Sequence, residues 1–577
     1  MVDVIVVGGG PVGMLLAAEL RLHDVEVVVL EKQARPSPHS RAFRLQPRTM
    51  EMLDYRGLAQ RFRDGHKDWP MAHFAGLQPL LRLDGLESEH AYSLLIPQAE
   101  TERLLAERAA ELGVTVRRGH ALTGLSQDEQ AVRAEVVGPD GPYTLRADYL
   151  VGCDGGAGTV RKAAGFAFPG TSAQVSALLG DVVLEDPAQL PTGIPGTART
   201  PRGLLMAVAL EPPVTRVLTT EFRAPQAAGA APVTVEELRA AIERVTGEQV
   251  AIREARWLSR FGDATRLVEE YRRGRVLLAG DAAHIHFPIG AQGLNLGLQE
   301  AMNLGWKLAA EVRGEAPEGL LDSYHRERHP VAVRVLRETR AQLALMNPDE
   351  RTDPLRELVA ELLAIPQVNR HLAGLVAGTD TCYADQGQDH PWVGRPAPRL
   401  ELKAEDGREV RIAELLNPGR AVLLALAAPP AVPLPRGVDL VTATAATPPD
   451  AQALLIRPDG HVAWAGAADD PALTRALETW CGRSGRREKG NPMEKFTLDD
   501  VRRVIRSCAG ENDTVDLDGD IADVPFAELG YDSLALLETA AVIEREYEVE
   551  LPEGGLYELE TPGRVVDFVN GALAVRS

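Results

Sequence analysis

Cysteine is scarce in this chain of 577 residues, and the four that occur lie far apart: Cys153, Cys382, Cys481 and Cys508. No C-x-x-C pair and no cluster of histidines and cysteines connects them. Such spacing supports neither a disulfide framework nor a zinc site, and the sequence indicates no other metal centre. A reducing compartment fits this pattern.

Long hydrophobic runs are also missing. The longest apolar run after the opening segment is AVLLALAA at 421–428, far shorter than the ~20 residues that a membrane-spanning helix needs. At the N-terminus no basic leader precedes the apolar run, which a GGG triplet interrupts after six residues. We therefore expect a soluble, cytoplasmic protein.

Positive charge is in deficit, because 62 Lys and Arg stand against 83 Asp and Glu, a net charge of −21. This balance argues against nucleic acid and anionic membranes as partners. The deficit is uneven, since residues 493–577 hold 20 Asp and Glu but 7 Lys and Arg. The sequence predicts that this stretch is a separate acidic module.

The chain opens with a pattern that is typical of dinucleotide-binding folds. VDVIVV at 2–7 has strand character, Gly8, Gly10 and Gly13 follow it, and MLLAAELRL has helical spacing. A second strand, VEVVVL, leads to Glu31. The glycines let the backbone approach a pyrophosphate at the helix N-terminus, and Glu31 is placed to accept hydrogen bonds from an adenosine ribose. The fingerprint by itself leaves NAD and FAD open.

Two later stretches distinguish between NAD and FAD as the cofactor. YLVGCDGGAGTVRKAAG (149–165) contains Asp154–Gly155, and RVLLAGDAAHIHFPIGAQGLNLGLQEAMNLGWKLA (275–309) contains Gly280–Asp281 before a second glycine-rich turn. With the opening fingerprint, they resemble the para-hydroxybenzoate hydroxylase family of FAD monooxygenases (group A). The closest resemblance is to the aromatic polyketide hydroxylases of bacterial type II pathways, over roughly residues 1–345.

The resemblance implies a set of cofactor contacts. Asp281 would bind the ribityl chain, Asp154 would serve both FAD and NAD(P)H, and Arg41 and Gln98 would complete the FAD contacts. NAD(P)H, with NADPH preferred, would visit transiently, as it does in this family. The predicted cofactor-binding residues are Gly8, Gly10, Pro11, Val12, Gly13, Glu31, Lys32, Arg41, Gln98, Asp154, Gly155, Gly280, Asp281, Pro288, Gly290, Gln292, Gly293, Leu294 and Asn295.

The substrate site is less sharply defined by the sequence. A helix N-terminus at 290–295 would face the pyrimidine edge of the flavin ring and stabilise its anionic reduced form. Trp69 and His286 fall in regions that could face the substrate, although a surface or core role is the competing interpretation for both and for His73. No catalytic residue is assigned, and the candidates are Arg41, Pro288 and His73.

The acidic module contains ELGYDSLALLE at 528–538, in which Ser533 would by itself be a helix N-cap. Its surroundings, LDGDIADVPFAELGYDSLALLETAAVIEREYEVELP, resemble the acyl carrier proteins of type II polyketide synthases over 493–575. The resemblance implies 4′-phosphopantetheine on Ser533, attached by a phosphopantetheinyl transferase. It also implies that the type II polyketide synthase enzymes recognise an acidic helix, for which a merely solvated face is the alternative; its acids are Glu538, Glu544, Glu546 and Glu548.

The periodicity elsewhere gives a coarse set of elements. β-Branched stretches from about 114 to 153 predict a second, partly antiparallel sheet. A capping box from Thr497 to Asp500 begins the first helix of the acidic module. Other helices are predicted at 97–112, 235–246, 292–313 and 318–346, the last with a break near Pro330.

The predicted fold class is multidomain. It combines an α/β Rossmann-like FAD-binding domain, a β-rich substrate domain, a thioredoxin-like α/β domain and a C-terminal all-α four-helix carrier domain. The predicted ranges are 1–170 with 263–384 for the discontinuous FAD-binding domain, 171–262 with part of 70–100 for the substrate domain, 385–482 for the thioredoxin-like domain, 483–492 for a linker and 493–577 for the carrier.

The predicted activity is FAD- and NAD(P)H-dependent hydroxylation, with dioxygen, of a polycyclic aromatic polyketide intermediate that the carrier tethers or delivers. The same flavin could instead perform Baeyer–Villiger or epoxidation chemistry. In a third reading the carrier is the functional centre and the flavoprotein half is a docking scaffold. No W-x-W-x-I-P halogenase motif occurs. A homodimer, and a natural or an engineered fusion at Met493, stay open.

Overall fold

The computed structural model describes two compact units, Met1–Ser484 and Gly485–Ser577. In the first, the described residues are 2–190, 197–222, 231–383, 390–404, 406–447 and 450–482. In the second, they are 497–509, 521–526, 529, 536, 539–540, 542–544, 549, 551–552 and 555–575.

The described strands and helices of the first unit are interspersed along the chain. The strands are β1 (Val2–Val7), β2 (Val27–Glu31), β3 (Arg44–Leu45), β4 (Lys67–Trp69), β5 (Met71–Ala72), β6 (Leu81–Arg82), β7 (Ser93–Leu95), β8 (Thr115–Arg118), β9 (Ala121–Gln127), β10 (Val132–Gly138), β11 (Gly141–Gly152), β12 (Gly170–Thr171), β13 (Ser176–Leu184), β14 (Thr197–Thr200), β15 (Gly203–Ala209), β16 (Val214–Glu221), β17 (Ile252–Gly262), β18 (Thr265–Leu267), β19 (Arg272–Arg273), β20 (Val276–Leu278), β21 (His284–Ile285), β22 (Leu402–Ala404), β23 (Glu409–Val410), β24 (Ala421–Ala425), β25 (Val438–Ala445), β26 (Ala453–Ile456) and β27 (Val462–Gly466). The helices are α1 (Pro11–Leu22), α2 (Pro47–Asp54), α3 (Ala59–Arg63), α4 (Gln98–Glu111), α5 (Thr159–Ala163), α6 (Val235–Thr246), α7 (Gln292–Val312), α8 (Ser323–Met346), α9 (Asp353–Leu363), α10 (Pro366–Ala377), α11 (Ile412–Leu415) and α12 (Ala472–Cys481).

An eight-stranded sheet organises the first unit, in the order β19-β20-β11-β1-β2-β8, with β10 and β9 attached beside β11. β1 is parallel to β2 and to β11, and β11 is parallel to β20. The apolar strand β1 is fully covered, with Val4, Ile5 and Val6 all 0% exposed. Such burial on both faces is what a parallel sheet between helices requires.

The prediction of a second, partly antiparallel sheet over 114–153 is wrong in one respect: the antiparallel pairing is present, but its strands belong to the same sheet as β1. β11 is long enough that its first residues pair antiparallel with β10 while its last residues, Ala147–Gly152, pair parallel with β1. β11 therefore pairs with the antiparallel β9–β10 hairpin and also with the parallel strand β1 of the eight-stranded sheet. The alternating pattern correctly predicted strands, but pairing depends on partners distant in sequence.

A second, antiparallel sheet has the order β14-β15-β16-β13-β17 and packs against α6. α6 begins after Thr234, whose hydroxyl accepts a hydrogen bond from the backbone N–H of Glu237, and it ends at Gly247 in a left-handed conformation. The helix predicted at 235–246 is confirmed. This sheet lies in the stretch predicted to be β-rich.

The prediction of a break near Pro330 is wrong, because α8 continues without interruption from Ser323 to Met346 and contains this proline. Proline removes one helical hydrogen bond, the one to the carbonyl four residues earlier. That carbonyl belongs to Arg326, and both Arg326 and Pro330 are exposed. A carbonyl at this exposed position is open to solvent, so the helix tolerates the residue. The helices predicted at 97–112 and 292–313 are confirmed as α4 and α7.

A further sheet of the first unit, β23-β22-β25-β24-β26-β27, is formed by residues 402–466. β24 pairs parallel with β25, and the other pairs are antiparallel. The turn between β26 and β27 brings Arg457 and Asp459 against α7 and α8, where Arg457 forms an ion pair with Glu327. This buried contact attaches the sheet to the rest of the unit.

The second unit is helical in its described parts, with α13 (Leu498–Ala509), α14 (Gly555–Leu559) and α15 (Pro562–Val575). The predicted capping box is confirmed: Asp500 N–H donates to the Thr497 hydroxyl at 3.4 Å, and Thr497 N–H donates to the Asp500 carboxylate at 3.1 Å. The unit has its own apolar core, which includes Val501, Ile505, Phe526, Leu536, Ile543 and Val569. The phosphopantetheine candidate Ser533, the acids Glu538, Glu546 and Glu548 and the predicted linker 483–492 lie outside the described residues.

Among the described helices, none combines the length and the apolar character that crossing a membrane requires.

Candidate functional site

Four neighbouring strands of the large sheet end at one edge, and each is followed by a residue predicted to bind the cofactor. The register aligns Val7 of β1 with Leu30 of β2 and with Gly152 of β11, and Gly152 in turn with Leu278 of β20. Because these strands are parallel, the turns that follow them are neighbours. The edge thus collects the opening glycines, Glu31, Asp154 and Asp281 from positions 8 to 281 of the sequence.

The glycine turn between β1 and α1 admits no side chain at two of its three positions. Gly8 has φ +112°, and a Cβ there would come within 2.3 Å of the carbonyl oxygen of Cys153. A Cβ on Gly13 would lie 2.0 Å from the carbonyl oxygen of Gly8. Gly10 differs, since nothing lies within 4 Å of its added Cβ. The open side of Gly10 is the space that a pyrophosphate would enter.

The N-terminus of α1 faces this space. Gly10 is the extended N-cap residue and Pro11 occupies the first helical position, where its missing N–H is no loss. The N–H groups of Val12 and Gly13 have no partner within the helix, so they and the positive end of the helix dipole are available to an anion.

Glu31 lies where the sequence predicted, at the end of β2. Its carboxylate accepts hydrogen bonds from Gly9 N–H at 2.8 Å and from Gln33 N–H at 2.7 Å. These bonds fix the carboxylate beside the glycine turn and still leave acceptor positions for a ribose. The neighbouring Lys32 is exposed.

Asp154 follows β11, and one of its two carboxylate oxygens accepts a backbone hydrogen bond. Its Oδ2 accepts a hydrogen bond from Val160 N–H at 3.0 Å, while Oδ1 is buried and has no partner among the described residues. Burial raises the pKa of Asp154, against the effect of that backbone hydrogen bond. The adjacent Gly155 has φ +75° and open space around it. An orphaned buried oxygen of this kind indicates a ligand group.

A buried acid that the sequence reading missed builds the turn carrying Asp281. Glu300 of α7 is 0% exposed and accepts hydrogen bonds from Gly280 N–H at 2.7 Å and from the Tyr271 hydroxyl at 3.1 Å. His284 Nε2 lies 3.0 Å from the same carboxylate. Although burial lowers the pKa of His284, the Glu300 carboxylate raises it overall. Glu300 thereby orients the turn so that Asp281 is exposed at the edge.

Arg161 ties two of these turns together. Its guanidinium donates to the carbonyl of Ala282 at 2.8 Å and to the carbonyl of Gly156 at 3.0 Å. The same group lies 3.8 Å from the ring centre of Phe168. The positions of the Asp154 turn and of the Asp281 turn are therefore coupled.

The N-terminus of α7 follows a turn with two left-handed residues, Gly290 at φ +72° and Ala291 at φ +54°. Asn295 braces this turn rather than facing open space: its Nδ2 donates to the carbonyls of Ala291 at 2.7 Å and Arg44 at 3.1 Å. Its Oδ1 accepts from Gln46 N–H at 2.8 Å. The predicted helix N-terminus is present, and Asn295 positions it.

Two polar atoms near this helix start are buried and lack a described partner. They are Nε2 of Gln292 and Nε2 of His286. A Cβ on Gly293 would lie 3.3 Å from His286 Nε2, so a larger residue here would require the imidazole ring to shift. Burial lowers the pKa of His286, against the effect of its hydrogen bond to the Phe287 carbonyl. The ring is therefore neutral at pH 7. Pro288 is exposed and Leu294 is half-buried.

Gln98 and Arg41 meet at the start of α4. The side-chain oxygen of Gln98 accepts hydrogen bonds from Arg41 N–H at 3.3 Å and from Ala42 N–H at 3.2 Å. The side chain of Arg41 is exposed. Gln98 therefore holds the loop that presents Arg41.

Apolar groups enclose the other side of the α7 turn. Phe287 packs against Phe261 of β17 with ring centres 5.6 Å apart. The substrate candidate His73 is half-buried, and burial together with the repulsion of Arg44 lowers its pKa to about 4. Trp69, the other candidate, is 39% exposed. The buried apolar residues here are Val175, Ala177, Phe287, Ile289 and Leu343.

These features fit FAD. The glycine cradle admits a pyrophosphate, the orphaned oxygen of Asp154 and the exposed carboxylate of Asp281 supply acceptors, and the α7 N-terminus provides a positive dipole end for the ring.

Three family models match the chain. An "FAD binding domain" model matches residues 1–339, and an "Aromatic-ring hydroxylase, C-terminal" model matches 390–484. A "Phosphopantetheine attachment site" model matches 503–569, within the acidic module.

Curated and solved proteins agree with these models. A 12-dehydrotetracycline 5-monooxygenase/anhydrotetracycline 6-monooxygenase of Streptomyces rimosus is 44% identical over 500 residues, 83% of this chain and 99% of that protein. A rifampicin monooxygenase of Streptomyces venezuelae is 45% identical, covering 84% and 99%. The structure of OxyS anhydrotetracycline hydroxylase from Streptomyces rimosus superposes with a TM-score of 0.79 at 44% identity, covering 84% of this chain and 99% of that one.

Proposed function

The chain belongs to the FAD-dependent aromatic polyketide monooxygenases and carries a phosphopantetheine-attachment domain, and on this basis we propose that it hydroxylates a polycyclic aromatic polyketide intermediate. Dioxygen is the co-substrate and NAD(P)H, preferably NADPH, is the reductant. The single observation that carries this proposal is the edge where four parallel strand ends bring the glycine cradle, Glu31, Asp154 and Asp281 together beside the α7 N-terminus.

When bound and reduced by NAD(P)H, FAD would activate dioxygen, from which one oxygen atom goes to the aromatic ring and the other leaves as water. The chain's own residues bind and orient FAD and the aromatic substrate. We assign the pyrophosphate to the Gly8–Gly13 turn, the ribose to Glu31 and the ribityl chain to Asp281. Arg41 and Gln98 complete the FAD contacts, and Asp154 serves both FAD and NAD(P)H.

The α7 N-terminus favours negative charge on the adjacent ring edge. A helix dipole contributes ~0.3–1 kcal/mol when exposed and up to ~2 kcal/mol when partly buried. The apolar contact of Phe261 with Phe287 keeps water from this side of the site. Exclusion of water protects the activated oxygen from side reactions. Arg41, Pro288 and His73 remain the candidates for contact with the substrate.

The carrier half would hold the polyketide on 4′-phosphopantetheine at Ser533, after modification by a phosphopantetheinyl transferase, and would receive it from type II polyketide synthase enzymes. Its fold is proposed to be the four-helix carrier bundle. The segment 385–482 is proposed to be thioredoxin-like and, since its cysteines are isolated, to act in packing rather than redox chemistry. A cytoplasmic location fits these partners.

The proposal is tested with purified, FAD-loaded protein that a phosphopantetheinyl transferase has converted to the holo form. Polycyclic anthrones are offered free and as carrier thioesters with NADPH and with NADH, and products are analysed by mass spectrometry and NMR. We expect one added oxygen as a ring hydroxyl. A lactone or an epoxide would instead establish Baeyer–Villiger or epoxidation chemistry, and a flavin that NAD(P)H does not reduce would contradict the proposal.

The carrier assignment has its own control. Ser533→Ala should abolish the mass gain from the transferase while the NADPH oxidation rate on free substrate stays the same. A mass gain that survives Ser533→Ala would exclude this serine as the attachment point.

A further inference from the structure

Two histidines on one face of α8 lie close together. His325 and His329 are four residues apart in this helix, so their side chains share a face, and their ring centres are 4.8 Å apart with the planes tilted by 45°. Both rings are half-buried. The ring of Tyr271 packs against the pair, with its centre 6.0 Å from that of His325 and 5.6 Å from that of His329. The helix and this tyrosine therefore hold the two imidazoles side by side.

The hydrogen bonds of the two rings leave a lone pair free on each. Nε2 of His329 lies 3.0 Å from the carbonyl of Val268, and since a carbonyl only accepts, Nε2 of the neutral ring carries the proton and Nδ1 keeps its lone pair. His325 has no described hydrogen bond at either ring nitrogen, and its Nδ1 is buried. A buried nitrogen without a partner indicates a missing ligand or ion. Histidines that bind metals usually donate their other N–H to a carbonyl or a carboxylate, as His329 does.

Both rings are neutral at pH 7. Burial lowers the pKa of His325, and the charge of His329 lowers it further. Burial also lowers the pKa of His329, against the effect of its hydrogen bond to Val268. Only the neutral imidazole binds a metal ion, because in the imidazolium both nitrogens carry protons. The pair is therefore in the protonation state that a metal ligand needs.

The separation of the rings fits one ion between them. An imidazole nitrogen binds Zn²⁺ at about 2.0–2.1 Å, which places the centre of its ring roughly 3.2 Å from the ion. When both lone pairs point at one ion, ring centres 4.8 Å apart subtend an angle of roughly 97° there. That angle lies between the ~90° of square-planar or octahedral ions and the ~109° of tetrahedral ions.

Among the residues that the structure describes, no third histidine, cysteine or acid completes a metal site with the pair. Catalytic zinc sites usually have three protein ligands and structural ones four, so two imidazoles form an exchangeable site whose other positions water fills. The pair is connected to the turn that carries Asp281 through Tyr271, whose hydroxyl donates to Glu300 at 3.1 Å. Glu300 in turn accepts from Gly280 N–H at 2.7 Å.

We propose that His325 and His329 form a binding site for one divalent transition-metal ion that prefers imidazole nitrogen, with Cu²⁺ bound more tightly than Ni²⁺ or Zn²⁺. The order follows the general affinities of first-row divalent metals for nitrogen ligands. Mg²⁺ is excluded, because this ion prefers oxygen ligands. Binding exchanges two water ligands of the ion for two imidazole nitrogens and transfers no proton or electron.

The test titrates metal ions into the FAD-loaded full chain after chelator treatment, without NADPH or substrate. Isothermal titration calorimetry with Cu²⁺, Ni²⁺, Zn²⁺ and Mg²⁺ measures the stoichiometry and the Kd. We expect one Cu²⁺ per chain, weaker binding of Ni²⁺ and Zn²⁺, and no binding of Mg²⁺. Pulsed electron paramagnetic resonance should detect two imidazole ligands on the bound Cu²⁺.

Variants assign the ion to the pair. Loss of a hydrogen bond to a metal ligand already lowers metal affinity about 10–100-fold, so His325→Asn and His329→Asn should each raise the Kd for Cu²⁺ at least about tenfold. In either variant the resonance spectrum should show a single imidazole on Cu²⁺. His371→Asn removes an exposed histidine from α10 and should bind Cu²⁺ like the wild type.

Folding of the variants is measured separately, by FAD content and by thermal unfolding without metal. His329→Asn loses the hydrogen bond to Val268 and can be less stable for that reason. His325→Asn loses no described hydrogen bond, so it tests the site without this effect.

An unchanged stoichiometry and Kd for Cu²⁺ in the double variant His325→Asn/His329→Asn would assign the binding to other surface groups and would overturn the inference. A wild-type resonance spectrum with a single imidazole on Cu²⁺ would overturn it as well. Neither measurement depends on turnover, so the result is independent of the hydroxylation assay.

Discussion

At the scale of single residues, two glycines of the same turn should respond differently to the same substitution. Gly13→Ala places a Cβ 2.0 Å from a backbone oxygen, so the fold must shift and thermal stability should fall with or without FAD. Gly10→Ala meets nothing within 4 Å and has an ordinary φ of −78°. It should leave the FAD-free protein as stable as the wild type but weaken FAD binding at least tenfold.

Thermal unfolding of the FAD-free proteins and titration with FAD measure both effects. Equal loss of stability in the two variants would contradict the prediction, because it would mean that the space beside Gly10 is not reserved for a ligand. Gly65→Ala does not serve as a control, since its φ of +78° adds strain. Gly437, with ordinary φ and open surroundings, is a matched site.

Asp281 offers a second prediction at this scale. Its carboxylate is exposed at the strand edge, and Asp281→Asn removes a charged hydrogen-bond acceptor without changing shape. Hydrogen bonds to charged groups contribute about 1.5–3 kcal/mol, so the Kd for FAD should rise roughly tenfold to a hundredfold. Flavin fluorescence measures this change. Asp140→Asn, in the exposed turn between β10 and β11, is the control and should bind FAD like the wild type.

The sequence predicts the residues of the glycine turn because their role is local. A positive φ at Gly8 and a helix start at Pro11 depend on neighbours a few residues away. Glu300 was missed because its contacts with Gly280 and His284 arise only when α7 packs under the strand end. A signal was present, since an acid in an otherwise apolar helical stretch demands partners.

At the scale of elements, a buried ion network joins α7, α8 and the turn between β26 and β27. Glu327 accepts from Lys307 at 2.7 Å and from Arg457 at 2.6 Å, and Arg48 of α2 donates to the carbonyl of Asp459 at 3.0 Å. Because α2 directly follows Gln46, the network supports the loop that braces the flavin turn. The sheet of residues 402–466 is thus coupled to the site through its buried charges.

Glu327→Gln should destabilise the first unit by about 3–5 kcal/mol, because Arg457 and Lys307 then remain buried without their carboxylate. Although burial raises it, the neighbouring Arg457 and Lys307 lower the pKa of Glu327 overall, to about 2 from an ordinary 4.5. The unfolded chain therefore binds a proton between pH 4.5 and pH 2 that the folded chain does not. The stabilisation is complete above pH 4.5 and is lost as the pH falls towards 2.

Thermal unfolding at pH 7 and between pH 4.5 and pH 3 checks this prediction. The difference in unfolding midpoint temperature between the wild type and Glu327→Gln should narrow as the pH falls. Glu361→Gln, on the exposed side of α9, should track the wild type throughout. If the difference in midpoint temperature between the two proteins were constant with pH, the ionised carboxylate would not be the source of the stability.

At the scale of the whole molecule, the two units have separate apolar cores. We therefore expect two unfolding transitions in calorimetry of the full chain. A chain that ends at Ser484 should lose one of the two unfolding transitions. The remaining transition should keep its midpoint temperature and the dependence of that temperature on FAD. A single transition that moves to lower temperature on truncation would contradict independent folding of the units.

The sequence by itself determined the local features of this protein: the glycine turns, the strand ends that bear Asp154 and Asp281, most helix bounds and the acidic module. Each depends on side-chain periodicity or on φ, which neighbouring residues control. Tertiary structure alone decided that β11 joins β1, that Asn295 braces Gln46 across 249 residues, and that Glu300 of α7 accepts a hydrogen bond from Gly280 N–H. Such pairings depend on how elements pack, and no spacing in the sequence encodes them.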